Sequence, residues 1–317
     1  MTKKVIFDTD PGIDDTMAML FAHASPKINL VGITTVFGNA TIENATRNAL
    51  YLKHRFGLHA DISMGSDTPL VVEAGKPTTF VHGENGLGDI DIPDEYYGEV
   101  DALSAEDFII DRVKKHPGEI TIIAVGRLTN LARAINKVPE IANLVKEVIV
   151  MGGAFGHHGH TGNVSPFAEA NIIGDPHAAD KVFTASWPVT VVGLDVTHET
   201  IMTSAYIDQL REKSAHYGQF IYDITRFYIG FHQKEAGLDG FYVHDSSAIA
   251  YAIAPELFTT TKGSIRVVTE GPAIGHTMLK RDERFYPVDG WRDRPAQQVC
   301  INVDSSAFLN LYTNTLK

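Results

Sequence analysis

The sequence predicts an α/β protein with an open, mostly parallel sheet and helices on both faces, in a Rossmann-like arrangement. Short apolar segments alternate with segments of helical length, and a polar turn follows each apolar segment. No linker, internal repeat or low-complexity tract interrupts the 317 residues. We therefore expect a single domain over residues 1–317, with a helical C-terminal portion lying over the ligand-binding edge of the sheet.

The parallel strands are assigned to the short apolar segments. They are expected at residues 4–7, 30–36, 120–125, 148–151 and 189–194. A helix-length stretch separates each strand from the next, as parallel pairing requires. A further β-rich piece is expected at residues 265–278.

The helices are supported by apolar spacing and by start signals. Met17, Leu20 and Phe21 have helical spacing within residues 14–24, and a second helix is expected over residues 42–56. Ser104 is expected to cap a helix that ends at residue 116, with Asp107 at the capping-box position. Further helices are expected from about residue 128, from residue 175 where Pro follows Asp, between residues 203 and 254, and after residue 304.

Composition limits the classes of partner. The net charge of −12 argues against a nucleic-acid or anionic-membrane partner and fits a small neutral or cationic substrate. Cys300 is the only cysteine, which excludes an internal disulfide and a cysteine-based zinc site. No apolar run approaches the roughly 20 residues of a membrane span. The first strand is also too short for a signal sequence, so we expect a cytosolic protein.

Polar residues follow the predicted strands. Ligands of open parallel sheets bind outside the carboxyl ends of the strands, so these residues are expected to form one rim. The segments concerned are 8–15, 37–39, 125–126, 151–153 and Asp195.

The strongest functional signal in the sequence is the acidic run Asp8-Thr9-Asp10-Pro11-Gly12-Ile13-Asp14-Asp15. Its four carboxylates repel one another, and turn formation or helix capping explains only one or two of them. The EF-hand pattern does not fit, because Gly12 falls where an oxygen ligand is needed and Met19 where a Glu is needed. Asp10 and Asp15 are able to meet across the turn and bind one hard cation, which would offset the cost of burying their charges.

Two further pairs of polar residues are candidates for the rim. Glu169 and Asn171 alternate in the sequence, which predicts that both side chains lie on one face of a strand, where they bind hydroxyls or water. His244 and Asp245 open a helical pattern, in which Asp245 is either a plain N-cap or part of a cleft edge.

A third group consists of His157, His158 and His160. Glycines lie between and around these histidines. This pattern indicates a flexible, solvated lid rather than a zinc site, because no ordered ligand geometry is evident.

In combination, these residues resemble the signature of the inosine–uridine-type nucleoside hydrolases. The resemblance begins with the acidic run and continues in order through most of the chain. The matching segments are Gly38-Asn39, Arg47-Asn48-Ala49-Leu50, Val81-His82-Gly83-Glu84, Val125-Gly126, Leu128-Thr129-Asn130, Met151-Gly152-Gly153, Ala168-Glu169, Asn171, Asp175-Pro176, Leu194-Asp195 and Val243-His244-Asp245. The resemblance implies calcium-dependent hydrolysis of the N-glycosidic bond of ribonucleosides in purine or pyrimidine salvage, by a homo-oligomer that is commonly a tetramer.

The resemblance also implies roles for individual residues. The Ca²⁺ ligands would be Asp10, Asp15, Asp245 and the main-chain carbonyl of Val125, and Asp10 would also be the general base on a calcium-bound water. His244 would lie beside the leaving base and supply its proton. The remaining substrate contacts would be Asp14, Asn39, Asn163, Glu169 and Asn171 on the ribose, and His82 on the side of the base. Asp8 is left over, and we expect it to orient its neighbours from behind the ligands.

The sequence departs from the family pattern at four places. Arg127 stands where Pro or Gly is usual, His177 where Glu is usual, and Ala170 where an aromatic residue is usual. The histidine-rich stretch at 157–160 resembles a small insertion. None of these departures removes a proposed ligand, but they leave the base preference open.

Two alternative functions remain open at this point. Asp8-Thr9-Asp10 after an apolar strand also resembles the motif of a haloacid-dehalogenase-like phosphohydrolase with Asp8 as nucleophile, although Asp14, Asp15 and Asp245 would then have no role. A non-catalytic calcium-dependent nucleoside- or sugar-binding protein would share every ligand. It would differ only in whether Asp10 activates water.

Overall fold

The computed structural model describes residues 2–282 and 284–317. The strands are β1 (Lys3–Thr9), β2 (Ile28–Thr35), β3 (Asp61–Ser63), β4 (Ile120–Ala124), β5 (Glu147–Met151), β6 (Val189–Val192), β7 (Ile201–Thr203), β8 (Gly240–Tyr242), β9 (Phe258–Val267), β10 (Thr277–Lys280) and β11 (Ala296–Val303). The helices are α1 (Ile13–Ala24), α2 (Ile42–Phe56), α3 (Thr79–His82), α4 (Ala105–Lys115), α5 (Thr129–Lys137), α6 (Ala170–Gly174), α7 (Pro176–Thr184), α8 (Leu194–Thr197), α9 (Ser204–Lys213), α10 (Gly218–Ala236), α11 (Asp245–Ile253) and α12 (Ser305–Leu316).

Within the described residues, the main sheet has nine strands in the order β10-β9-β11-β6-β5-β4-β1-β2-β3. Pairing is parallel from β11 through β3, whereas β9 pairs antiparallel with both β11 and β10. Strands β4 and β6 are buried at every residue, as expected when helices cover both faces. The prediction of an open, mostly parallel sheet is confirmed.

Two apolar layers hold the helices against the sheet. One layer packs α1, α2, α10, α11 and α12 on one face, and the other packs α4, α5 and α7 on the opposite face. None of the described helices combines the length and the apolar character that a membrane crossing requires.

Several predicted elements need correction. The predicted strand at 189–194 ends at Val192, because Leu194 begins α8 after Gly193. The predicted helical region from 203 to 254 also contains β8, which pairs antiparallel with β7. Ser104 does not accept a capping bond from the helix backbone, since its hydroxyl donates to Asp107 instead (3.2 Å).

Candidate functional site

A cavity of about 250 Å³ lies at the carboxyl ends of β4 and β5, between the turns that follow β1 and β2 and the helices α10 and α11. This position is the rim that the polar turns predicted. The predicted site residues that line it are Asp14, Asn39, His82, Val125, Asn163, Glu169, Asn171, His244 and Asp245. The other two, Asp10 and Asp15, are fully buried and are not among the lining residues.

Asp15 ties the acidic turn together. One carboxylate oxygen accepts from the Thr9 hydroxyl (2.6 Å) and from the Asp10 N–H (3.1 Å). The other accepts from the Gly12 N–H (3.1 Å) and from Nδ2 of Asn39 (2.8 Å). These four bonds fix the carboxylate at the start of α1, so its position is set by the turn before any ligand binds.

Carboxylate oxygens of Asp14, Asp15 and Asp245 lie within 4.8 Å of one another. Burial, reinforced by the neighbouring carboxylate of Asp15, raises the pKa of Asp14 to about 8. Burial, and then the charge of Asp14, raises the pKa of Asp245 well above its usual range. The prediction grouped Asp10 with Asp15 and Asp245, whereas in the structure Asp14 is the third member of the group.

The residues present fit a divalent cation. Oδ1 of Asp10 and Oδ1 of Asp14 are buried and have no hydrogen-bond partner among the described residues. Buried carboxylate oxygens without a partner are costly, and hard cations such as Ca²⁺ bind such oxygens. Adjacent carboxylates with free oxygens are therefore the observation that favours a metal centre.

Asp10 is held in place by Asn39 and Arg127. Its Oδ2 accepts from the Asn39 N–H (2.7 Å) and lies 3.9 Å from Nη1 of Arg127. Burial and the charge of Asp15 raise the pKa of Asp10, while Arg127 and the Asn39 N–H oppose this rise. Arg127, which departs from the family pattern, is thus a buried cation next to the predicted general base.

The backbone is adapted to Arg127. Its Nη1 donates to the Phe37 carbonyl (2.9 Å), and its guanidinium lies 4.8 Å from the centre of the Phe37 ring. A Cβ atom at Gly38 would lie 1.8 Å from Oδ2 of Asp10, and one at Gly174 would lie 1.9 Å from Nε of Arg127. Glycine is therefore required at both positions by the close approach of these side chains.

The strand predicted for Glu169 and Asn171 is wrong. Glu169 is the N-cap of α6, and its carboxylate accepts from the N–H groups of Asn171 (3.0 Å), Ile172 (3.1 Å) and Gly153 (3.0 Å). Both side chains nevertheless line the cavity. A helix cap at Glu169 positions them, because capping satisfies the free N–H groups of the first helical turn.

Asn171 and Asn163 both line the cavity. Nδ2 of Asn171 donates to the Val125 carbonyl (2.6 Å), the oxygen that the resemblance implies as a metal ligand. Oδ1 of Asn163 accepts from the Ala170 N–H (3.0 Å), and Asn163 itself is exposed. The Val125 carbonyl therefore lies at the cavity wall and accepts from a neighbouring amide in this structure.

Imidazole rings that burial keeps neutral also line the cavity. Nδ1 of His82 accepts from the Ile13 N–H (3.2 Å), and burial lowers the pKa of His82 to about 4. Nδ1 of His244 pairs with the Thr197 hydroxyl (2.9 Å), and burial, then the charge of His198, lowers the pKa of His244 well below its usual range. His82 also stacks on Tyr228, with ring centres 5.6 Å apart.

The sequence did not single out several residues of this wall. The additional lining residues include Phe80, His198, Tyr228, Phe231, His232 and Tyr242. Three of them, Tyr228, Phe231 and His232, have helical i, i+3, i+4 spacing on α10, which indicates one shared face. That spacing was the available signal, although it is equally typical of a packed core face.

Asp8 is enclosed behind the site. Its Oδ2 accepts from the Thr34 hydroxyl (2.6 Å) and from Nδ2 of Asn130 (2.8 Å), and burial raises the pKa of Asp8 to about 7. It is fully buried and does not line the cavity. Asp8 therefore lies behind the residues that line the cavity, where it orients its neighbours.

Comparison with known proteins gives consistent results. Residues 5–310 match the family described as inosine-uridine preferring nucleoside hydrolase. The chain is 42% identical to uridine nucleosidase 1 of Arabidopsis thaliana over 87% of this chain and 82% of that protein. It is 38% identical to the inosine-uridine preferring nucleoside hydrolase of Leishmania major over 100% of this chain and 98% of that protein.

Solved structures show the same likeness. A plant nucleoside hydrolase superposes with a TM-score of 0.94 at 37% identity, covering 100% of this chain and 99% of that one. A purine-preferring ribonucleoside hydrolase from Gardnerella vaginalis superposes with a TM-score of 0.90 at 37% identity, covering 99% and 98%.

Proposed function

The chain belongs to the inosine-uridine preferring nucleoside hydrolase family and is an N-glycosidase that hydrolyses ribonucleosides, and we propose that it does so at the cavity between Asp14 and His244 with the help of a bound Ca²⁺. The observation that carries this location is the meeting of carboxylates and neutral imidazoles in one cavity. A ribonucleoside has matching parts, since its ribose carries hydroxyls and its base is a flat heterocycle.

The carboxylates are proposed to bind the cation and the ribose. Asp10, Asp15, Asp245 and the Val125 carbonyl are the proposed ligands. The set is supported by Oδ1 of Asp10, which has no hydrogen-bond partner among the described residues, and by the closeness of Asp15 to Asp245. A bound divalent cation would supply positive charge that orients hydroxyls and makes water more acidic. Ribose hydroxyls would contact Asp14, Asn39, Asn163, Glu169 and Asn171.

The carboxylates have a second effect. Cleavage of a glycosidic bond passes through a state with positive charge on the sugar ring. Asp14 and Glu169 line the cavity, so their negative charge would stabilise that state. Oδ1 of Asp10 has no hydrogen-bond partner among the residues that the structure describes, which leaves it able to accept the proton of the attacking water.

The imidazoles are proposed to contact the base. His244 is held through Nδ1 by Thr197, so its Nε2 remains available to the departing base. A neutral imidazole N–H can donate to the negative charge that develops on the base. His82 is proposed to line the same side. The relatives are named for uridine, inosine and purine substrates, so both a purine and a pyrimidine nucleoside are needed in the test.

The decisive experiment is incubation of the purified protein with inosine, uridine and a generic phosphate ester, with and without a chelator. We expect free base and ribose from the nucleosides, and loss of this activity on chelation. Asp10→Asn is expected to lower kcat by at least about a hundredfold, whereas the exposed Asp208→Asn on α9 serves as control. Full activity of Asp10→Asn would overturn the role of Asp10, and binding without turnover by the wild type would favour the non-catalytic binder.

Three further expectations belong to the same proposal. We propose that Ca²⁺ is the cation, that the protein is cytosolic, and that it forms a homo-oligomer. Terbium luminescence, fractionation and analytical ultracentrifugation test them in turn.

A further inference from the structure

The histidine-rich segment, residues 156–160, is anchored to the body of the protein rather than free. The His157 N–H donates to Asp195 (2.7 Å), and a ring nitrogen of His158 pairs with the Ile301 carbonyl (2.9 Å). Nε2 of His160 pairs with Oε1 of Glu199 (2.8 Å). The three histidines therefore have different partners and do not converge on a common point.

His160 reaches the wall of the cavity through His198. The two rings meet edge to face with their centres 4.9 Å apart. On its other side His198 stacks on Tyr242, with centres 4.2 Å apart and planes 24° apart. His198 is thus held between His160, which belongs to the segment, and Tyr242, which lines the cavity.

The ring of His198 also has unused hydrogen-bonding capacity. It lines the cavity, and its centre lies 5.4 Å from that of His244. Neither of its ring nitrogens makes a hydrogen bond within the part of the chain that the structure describes. A polar ring that is stacked in place and has free nitrogens in a cavity is suited to donate to, or accept from, a bound heterocycle.

We propose that His198 is a specificity-determining residue that contacts the nucleobase, and that the Glu199–His160 pair positions it. The inference rests on the proposed function, because it places the base beside the imidazoles of the cavity. It gives the histidine-rich segment a role as the outer support of the base site. The lid predicted from the glycines would then be a fixed wall instead of a mobile cover.

The test compares substrates that share ribose and differ in the leaving group. Inosine and uridine carry ring heteroatoms, whereas a nitrophenyl riboside has none in its ring. His198→Phe preserves the stack on Tyr242 and removes both ring nitrogens. We expect KM for inosine or uridine to rise about tenfold with little change in kcat, as for a lost hydrogen bond to the substrate. The KM for the nitrophenyl riboside should stay within about twofold.

The positioning pair is tested separately. His160→Ala and Glu199→Gln should raise the nucleoside KM about threefold in the same substrate-selective way, and His160→Gln should restore much of the loss because its amide can donate to Glu199. His158→Ala, in the same segment, is the matched control and should behave as the wild type. Melting temperatures show whether each variant is folded.

Two outcomes would overturn the inference. One is a loss of the same size on all three ribosides in the folded variants, and the other is an unchanged nucleoside KM in His198→Phe. If the wild type cleaves none of these ribosides, the proposed function itself fails, which is a distinguishable result.

Discussion

Replacing Arg127 by Met should destabilise the cation-free protein much more than the cation-bound protein. Nη1 of Arg127 lies 3.9 Å from Oδ2 of Asp10, and both side chains are almost fully buried. At that separation and an effective dielectric constant of about 20, the Coulomb attraction is about 4 kcal/mol. Removal of one partner from a buried pair costs about 3–5 kcal/mol. Proton uptake by Asp10 limits the loss, because its pKa would rise further without Arg127.

A divalent cation bound to the same carboxylates would supply the charge that Arg127→Met removes. We therefore expect the free energy of unfolding to fall by about 3–5 kcal/mol in chelator, and by clearly less in saturating Ca²⁺. Urea denaturation at pH 8 in both conditions measures the two values. Arg112→Met is the control, since its partners Asp61 and Asp101 lie at the surface, where a pair contributes at most about 1 kcal/mol. Equal losses with and without Ca²⁺ would refute the reasoning.

Three further predictions follow from the same geometry. Gly174→Ala should lower the melting temperature through its clash with Arg127, by the equivalent of about 1–3 kcal/mol, whereas Gly230→Ala, which meets nothing within 4 Å, should not. Chelation should lower the melting temperature of the wild type, and this effect should shrink in Asp245→Asn, as calorimetry with and without Ca²⁺ would show. Burial lowers the pKa of His198 to about 4. The neutral ring is thus favoured in the fold, and its contribution to stability is present above about pH 6.5 and lost as the pH falls toward 4. His198→Phe should flatten the urea midpoint over that range, and an unchanged pH profile would contradict this. The titratable groups that face His198 are His160, Glu199, His232, Tyr242 and His244.

Some helices and strands could be predicted from the sequence more accurately than others. The helix predicted at 42–56 has the bounds that the structure shows, because its apolar periodicity, the cap at Thr41 and the stop at Gly57 agree. Strand β11 and residues 258–264 of β9 were not predicted, since half-buried strands carry a weaker pattern than fully buried ones.

The two groups of cavity residues also differed in how well the sequence predicted them. The carboxylates are local, because most of them come from one short turn with an unusual composition. The aromatic and imidazole wall comes from α10, β8 and α8, which only the tertiary fold brings together. Glu169 and Asn171 were assigned correctly to the rim and wrongly to a strand, because alternation and helix capping produce similar short patterns.

The packing of α12 on α1 has a consequence for how the protein is made. The Tyr312 hydroxyl donates to the Met17 carbonyl (3.3 Å), a contact between residues 295 positions apart, and Phe308 and Tyr312 both pack against Phe21. The helix that carries Asp14 and Asp15 is therefore covered in part by α12, which a ribosome synthesises about 295 residues later. During translation the acidic turn is therefore exposed, and it lacks its partner Asp245 until most of this chain has emerged from the ribosome. Divalent cations in solution would encounter this turn before it has all the residues that it needs to bind them.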